Sequence, residues 1–191
     1  LLLVCLFLGV EAIAAIGTLT GSINRELDAR GRQILGGDIE LRVWQREPDR
    51  EEMAALKALG HVSPGFRMQA IASRGDRTAP VALKAVSHDW PLYGRLELVD
   101  GRKVGAPAAG TAWIAPGTAA RLGIGVGDSL RIGGEPVRVA GLIKADPEQL
   151  GEGFALGDLA VVPLELPARA GLTVPGAMYR SAVRVRLDPG Q

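Results

Sequence analysis

Several residue types that carry chemistry in enzymes occur in this sequence, but their spacing matches no catalytic pattern. His61 and His88 are 27 residues apart and form no HExxH motif. The glycine-rich stretch Gly123–Asp128 (GIGVGD) lacks the Lys and Ser/Thr of a phosphate-binding loop and precedes a strand pattern. No serine lies in the GxSxG context of a hydrolase nucleophile. We therefore expect no enzyme activity and no cofactor.

Metal-binding patterns are also missing from the sequence. The stretch ADPEQLGEGFALGD supplies four carboxylates, from Asp146, Glu148, Glu152 and Asp158, but their spacing fits no EF-hand loop. The single cysteine, Cys5, allows neither a disulfide nor a Cys-rich metal site within the chain. We expect no metal site.

The composition argues against nucleic acid as a partner. The formal net charge is +1 and aromatic residues make up 4% of the chain, so neither a basic surface nor a base-stacking platform is indicated. We expect no nucleic-acid binding. The hydrophobic fraction of 47% is sufficient for a packed core.

The first element is an apolar run, Leu1–Leu19, which as a helix would span about 28 Å, close to the thickness of a bilayer core. Glu11 opposes insertion, and it either faces neighbouring helices and water or serves as a relay. A cleaved signal peptide is the alternative, because AIAAIG supplies small residues for cleavage. The sequence does not begin with Met, and we expect its N-terminus to lie upstream.

The apolar stripe continues in phase beyond this run. Leu19, Ile23 and Leu27 recur at helical spacing, and Gly36-Gly37 is a natural helix end. The pattern favours one continuous helix from Leu1 to Leu35, with a span followed by a rigid stalk.

Strand and helix patterns follow in the order β, α, β, β, which predicts an α+β fold. Alternation over Asp38–Trp44 predicts a strand, and Pro48–Gly60 predicts a helix with an Asp49/Glu52 capping box. Two further strands, VSPGFRMQAIASR and APVALKAVS, are joined by the turn GDRT.

A second region follows the linker DGRKVGAPAAG. It predicts a short strand, one helical turn and a hairpin in which SLRI and VRVAGLI flank GGEP. LAVVPLE and SAVRVRL predict the last strands. The second region is interpreted as a small, mostly β unit inserted into the first.

Four segments in this order resemble a known family: LGGDIELR, VALKAVSHDWPLYGRLEL, IAPGTAARLGIGVGDSLRIGGEPVRVAGLIKADPE and LTVPGAMYRSAVRVRL. Together they are similar to the extracytoplasmic core domain of ABC transporter permeases of the MacB/FtsX type, with the greatest likeness to the YbbP-like branch. The resemblance covers essentially the whole chain.

The resemblance implies a domain held between the first two membrane helices of a bacterial inner-membrane protein. Residues 1–35 would form the transmembrane helix and stalk, residues 36–104 and 175–191 a porter-like α+β domain, and residues 105–174 the inserted small β-rich subdomain. It also implies a separate cytoplasmic ABC ATPase subunit, a dimeric transporter assembly, and contacts with membrane lipid and with a periplasmic protein or lipoprotein.

The implied function is mechanotransmission, in which ATP-driven motion passes along membrane helices to an envelope process involving lipids or lipoproteins. The alternative is a secreted or membrane-anchored periplasmic ligand-binding module with no role in transport. Two segments are the candidate interaction or hinge sites. The first is either a hinge or a helix cap, and the second is either a specific surface or a structural turn. They comprise Gly36, Gly37 and Asp38, and Trp90, Pro91, Leu92, Tyr93 and Gly94.

Overall fold

A computed structural model of the chain describes residues 31–32, 35–146, 157–174 and 176–188. Gly31, Arg32 and Leu35 are helical. The predicted span, Glu11 and most of the predicted stalk lie outside the described residues. Within the described residues, no helix combines the length and apolar character needed to cross a membrane.

After the helical residues that precede β1, the described part of the chain contains ten strands and three short helices. The helices are α1 (Arg50–Leu59), α2 (Pro116–Leu122) and α3 (Leu166–Arg169). The strands are β1 (Ile39–Trp44), β2 (Gly60–Arg74), β3 (Arg77–Val86), β4 (Leu96–Leu98), β5 (Lys103–Val104), β6 (Thr111–Ile114), β7 (Ser129–Ile132), β8 (Glu135–Ala145), β9 (Asp158–Pro163) and β10 (Tyr179–Leu187).

These strands form one mixed sheet in the order β1-β10-β2-β3-β9-β6-β8-β4-β5, with β7 pairing with β2 and β8. The β3–β9 and β6–β8 pairs are parallel, and the other described pairs are antiparallel. The predicted α+β class is therefore confirmed.

Local sequence signals account for most of these elements. The predicted strand at 38–44 is β1, and the predicted helix at 48–60 is α1. Its capping box forms as expected, since Asp49 accepts from the Glu52 amide at 2.8 Å and Glu52 accepts from the Asp49 amide at 2.9 Å. The predicted GGEP hairpin is the β7–β8 pair.

The division into a porter-like part and an inserted part stays a prediction. Its first boundary, between residues 104 and 105, falls in the loop between β5 and β6. Hydrogen bonds of the same sheet cross it, because β3 of the first part pairs with β9 of the second along six residues.

Apolar side chains pack on the sheet in three clusters. The largest surrounds β2, β3 and α2 and includes Leu83, Ile114 and Ile132, each 0–1% exposed. A second surrounds Trp90, and a third fastens α1 through Leu56 to β10. Full burial of each such side chain stabilises the fold by about 1.5–3 kcal/mol. This packing makes the sheet rigid, so the chain segments that lie at the ends of its strands are held in fixed positions.

Candidate functional site

The start of β1 and the end of β10 lie together at one end of the sheet. The two strands are antiparallel, with Ile39 opposite Val185, and the Asp38 amide donates to the Val185 carbonyl at 2.8 Å. The chain that enters the domain and the chain that leaves it are therefore neighbours. We call the residues that join them, Gly36, Gly37, Asp38, Tyr93 and Leu187, the junction.

The Asp38 carboxylate connects three separate segments at the junction. Its Oδ2 accepts from the Tyr93 hydroxyl at 2.6 Å and from the Leu187 amide at 3.0 Å. Its Oδ1 lies 3.2 Å from Nε of Arg32, which belongs to the helical segment before β1. The Asp38 side chain is only 13% exposed. One carboxylate thus holds the entering helix, a loop after β3 and the end of β10.

The electrostatics of the junction favour an ionised Asp38. Burial raises the pKa of this carboxyl, but the hydrogen bonds from Tyr93 and Leu187 and the charge of Arg32 outweigh burial and hold its pKa below the usual value. Burial, and then the hydrogen bond to Asp38, raise the pKa of the Tyr93 hydroxyl. Tyr93 therefore stays a neutral donor to a charged acceptor, which is the stronger class of hydrogen bond.

The two glycines each have a structural role beside Asp38. Gly36 has φ of +72°, the left-handed conformation that commonly ends a helix. A Cβ on Gly37 would lie 3.0 Å from the Ile39 carbonyl oxygen and 3.1 Å from Cβ of Arg184, so only glycine fits without displacement. Nε of Arg184 in turn donates to the Leu35 carbonyl at 3.0 Å, which fastens the helix end to β10. The choice between a hinge and a helix cap at these glycines is not tested by these contacts, and both stay predictions.

The loop at residues 90–94 divides into buried anchors and one residue that reaches the junction. Trp90 is 2% exposed and packs in the second cluster, with Nζ of Lys84 at 4.6 Å from its ring centroid. Pro91 and Leu92 are also buried, so these three side chains are not a contact surface in this structure. Gly94 supplies a positive φ of 75°. The loop thus presents Tyr93 to Asp38.

The two segments predicted as separate candidate sites are therefore brought together by one hydrogen bond between residues 55 positions apart. Sequence reasoning missed Arg32, Arg184 and Leu187. SAVRVRL was predicted only as a strand, and in the structure the Arg184 side chain is 6% exposed and lies 3.4 Å from the Glu40 carboxylate. The Leu187 contribution is a backbone amide, which side-chain patterns do not reveal.

The two histidines, distant in sequence, meet at one carboxylate. Nε2 of His61 lies 3.2 Å from Asp89 and Nδ1 of His88 lies 3.1 Å from it. The hydrogen bond with His88 and the nearby charge of His61 lower the pKa of Asp89.

In the described ranges, no group of three or more His, Cys, Asp and Glu side chains is arranged to hold a metal ion. Two of the four candidate calcium carboxylates are described, and Asp146 pairs with Lys84 while Asp158 pairs with Arg121.

Comparison with known proteins shows the family to which this chain belongs. The profile of the family described as the MacB-like periplasmic core domain matches residues 1–191. The chain belongs to this family. The resemblance inferred from four sequence segments is thereby confirmed, and this core domain is of the extracytoplasmic kind found in ABC transporter permeases.

Individual relatives are distant. The core domain is 26% identical over 173 residues to the "Uncharacterized ABC transporter permease YbbP" of Escherichia coli (strain K12). The match covers 90% of this chain and 21% of that permease, so the core domain spans about a fifth of its relative's length.

Two solved structures are similar to the core domain. The extracellular domain of the noncanonic ABC-type transporter YknZ from Gram-positive bacteria has a TM-score of 0.49 and 17% identity, covering 77% of this chain and 83% of its own. The periplasmic region of MacB from Actinobacillus actinomycetemcomitans has a TM-score of 0.47 and 13% identity, with coverage of 84% and 79%.

Proposed function

We propose that this chain is the part of an inner-membrane ABC permease that receives ATP-driven motion from the membrane and transmits it to the extracytoplasmic side. Residues 1–35 would form the transmembrane helix and stalk, and a separate cytoplasmic subunit would hydrolyse ATP. The core domain itself would not be an enzyme. It would work in a dimeric assembly, with residues 36–104 and 175–191 as the porter-like part and residues 105–174 as the insert.

The Asp38 carboxylate is the observation that carries this proposal. A domain placed between two membrane helices needs both of its chain ends on one side. It also needs a rigid connection between helix and sheet at the junction, because a flexible connection would let the helix move without moving the sheet. Asp38 ties the entering helix to the end of β10 and to Tyr93.

The energies of the contacts at the junction favour transmission of helix motion to the sheet over bending of the chain at Gly36-Gly37. Swinging the helix away from the sheet at Gly36-Gly37 would break the ion pair between Arg32 and Asp38 and the hydrogen bond from Nε of Arg184 to the Leu35 carbonyl. A hydrogen bond from a charged group such as Arg184 contributes about 1.5–3 kcal/mol, several times the thermal energy of about 0.6 kcal/mol, and the partly exposed Arg32 pair adds less. A tilt of the helix would therefore move the sheet with it. We propose that this motion serves an envelope process that involves lipid or a lipoprotein.

The test uses the full-length permease with its ATPase subunit in lipid nanodiscs. A spin label replaces Val126, a side chain 60% exposed, and the distance between the labels of the two subunits is measured without and with ATP. We expect ATP to change this distance in the wild type and in the control Asp76→Asn, which alters an exposed turn aspartate. Asp38→Asn should keep ATP hydrolysis but show a smaller change.

Two results would contradict the proposal. An unchanged distance in the wild type during ATP turnover would favour a ligand-binding module without a transport role. An equal change in Asp38→Asn and the wild type would show that motion takes another route.

A further inference from the structure

The end of β1 farthest from the junction carries an exposed cluster that the coupling role does not use. Trp44 ends β1 and is 69% exposed, and Met178 just before β10 is 79% exposed. Arg180 lies directly opposite Trp44 on β10. We call Trp44, Met178 and Arg180 the distal patch. At about 3.4 Å per residue, Trp44 lies roughly 20 Å along the chain from Asp38 of the junction.

Arg180 gives the distal patch its charge. Its Cζ lies 5.8 Å from the centroid of the Trp44 ring, within the range of a cation–π contact. Its Nε is buried without a hydrogen-bond partner, and within the described part of the chain no carboxylate lies at ion-pair distance from it. Burial and the neighbouring Arg42 lower its pKa, and the charge of Glu40 offsets only part of this lowering. A partly desolvated guanidinium with a nitrogen that lacks a hydrogen-bond partner gains from an incoming anion.

The backbone beside Trp44 holds an uncommon conformation. Gln45 has φ of +57°, and it is the one non-glycine residue with positive φ among the described residues. Its amide donates to the Tyr179 carbonyl at 2.9 Å, which ends the β1–β10 pairing there. Such a conformation costs about 1 kcal/mol or more in a non-glycine residue. The chain accepts this cost at the point where Trp44 is presented to solvent.

A groove extends from the distal patch across the sheet. It encloses about 1140 Å³ and has more apolar than polar lining, including Met68, Leu83 and Leu172. Arg67, opposite Arg180 on β2, lines it and has interactions of its own. Three other charged lining residues are already paired within the chain: Asp146 with Lys84, Asp158 with Arg121, and Lys144 with Glu97. Arg180 therefore supplies the charge available to an occupant.

We propose that the distal patch and groove bind an acidic polypeptide segment of a partner protein that combines apolar side chains with a carboxylate. The carboxylate would pair with Arg180, and apolar side chains would pack on Trp44 and Met178. The groove volume of about 1140 Å³ lies above the usual 300–1,000 Å³ of small-molecule sites, and Trp44 and Met178 in its lining are largely exposed, so an extended segment fits it better than a small ligand. Trp, Met and Arg are also the side chains enriched at protein interfaces.

The test measures fluorescence anisotropy of a rhodamine-labelled 12-residue peptide in which Glu alternates with Leu and Phe. The protein is the full-length permease in phosphatidylcholine nanodiscs, with empty nanodiscs as the blank. A matched peptide carries Gln in place of Glu. We expect the Glu peptide to bind roughly fivefold more tightly than the Gln peptide, as for one partly exposed ion pair.

The variants separate charge from apolar contact. Arg180→Gln should remove the preference for Glu over Gln, while the control Arg50→Gln, an exposed arginine on α1, should keep it. Trp44→Ala should weaken both peptides about tenfold, and Val126→Ala should weaken neither. Equal affinity of the wild type for both peptides, or no binding at 1 mM, would overturn the proposal. Arg180-dependent binding of laurate without binding of the Glu peptide would also overturn it and assign the groove to a lipid.

Discussion

Replacing Asp38 with Asn tests the junction, because the two side chains have nearly the same shape but differ in charge. The amide keeps one acceptor oxygen but loses the charge, so the bonds from Tyr93 and Leu187 become neutral ones. Charged hydrogen bonds contribute about 1.5–3 kcal/mol and neutral ones about 0.5–1.5, a loss of about 1 kcal/mol for each bond. Arg32 is 58% exposed and adds little. We expect Asp38→Asn to lower the free energy of unfolding by about 2 kcal/mol at pH 7.

The pH dependence gives this prediction its sharpest check. The folded-state pKa of Asp38 is lowered, so its stabilisation is full above the unfolded-state value of about 3.9 and is lost as the pH falls through the folded-state pKa. Urea unfolding of residues 31–191 at a series of pH values measures the difference between wild type and Asp38→Asn. This difference should shrink below about pH 4.

A double-mutant cycle then locates the effect. Tyr93→Phe alone should cost about 1–1.5 kcal/mol, and adding it to Asp38→Asn should cost less than the sum because the two side chains share a bond. Full additivity, or a difference between Asp38→Asn and wild type that persists unchanged to pH 3, would refute the role assigned to the carboxylate.

Three further predictions concern the surrounding fold. Gly37→Ala should lower the melting temperature by several degrees because its Cβ has no room, whereas Gly125→Ala, where nothing lies within 4 Å, should not. Glu52→Ala should speed amide exchange in the first turn of α1, since the Glu52 carboxyl, with a pKa lowered to about 2 by its Arg46 and capping bonds, stays ionised at neutral pH. Lys84→Met should cost about 3–5 kcal/mol in urea unfolding by leaving Asp146 buried without its cation, and adding Asp146→Leu should restore most of the loss.

Sequence patterns predicted the elements of this fold well because each has a local cause. The alternation in Ile39–Trp44, the Asp49 capping box and the GGEP turn all act within a few residues, and each forms as expected. The order of the strands was not accessible in this way. It depends on pairs such as β3 with β9, whose partners are more than 70 residues apart.

The junction shows the same limit at the level of single residues. Gly36-Gly37 and the PLYG loop were selected from sequence because Pro and Gly fix backbone shape. That Tyr93 of the loop donates to Asp38 depends on the folded position of the loop, where Trp90 is packed in the second cluster. The burial of Arg184 was also hidden, because its alternation with valines in β10 is equally typical of a solvent-facing strand side.

The most direct test of the coupling account is the distance between the helix and the sheet within one subunit. Spin labels replace Ser22 in the predicted stalk and Val126 in the core domain of the full-length protein, studied together with the ATPase subunit proposed for it. Ser22 is 13 residues before Leu35, about 20 Å along a helix, so a 20° bend at Gly36-Gly37 would move it about 7 Å. The account predicts one narrow distance distribution that stays the same with and without ATP, and that broadens in Asp38→Asn. A distribution in the wild type that shifts by several ångströms when ATP binds would show that the junction is a hinge, and would contradict the account.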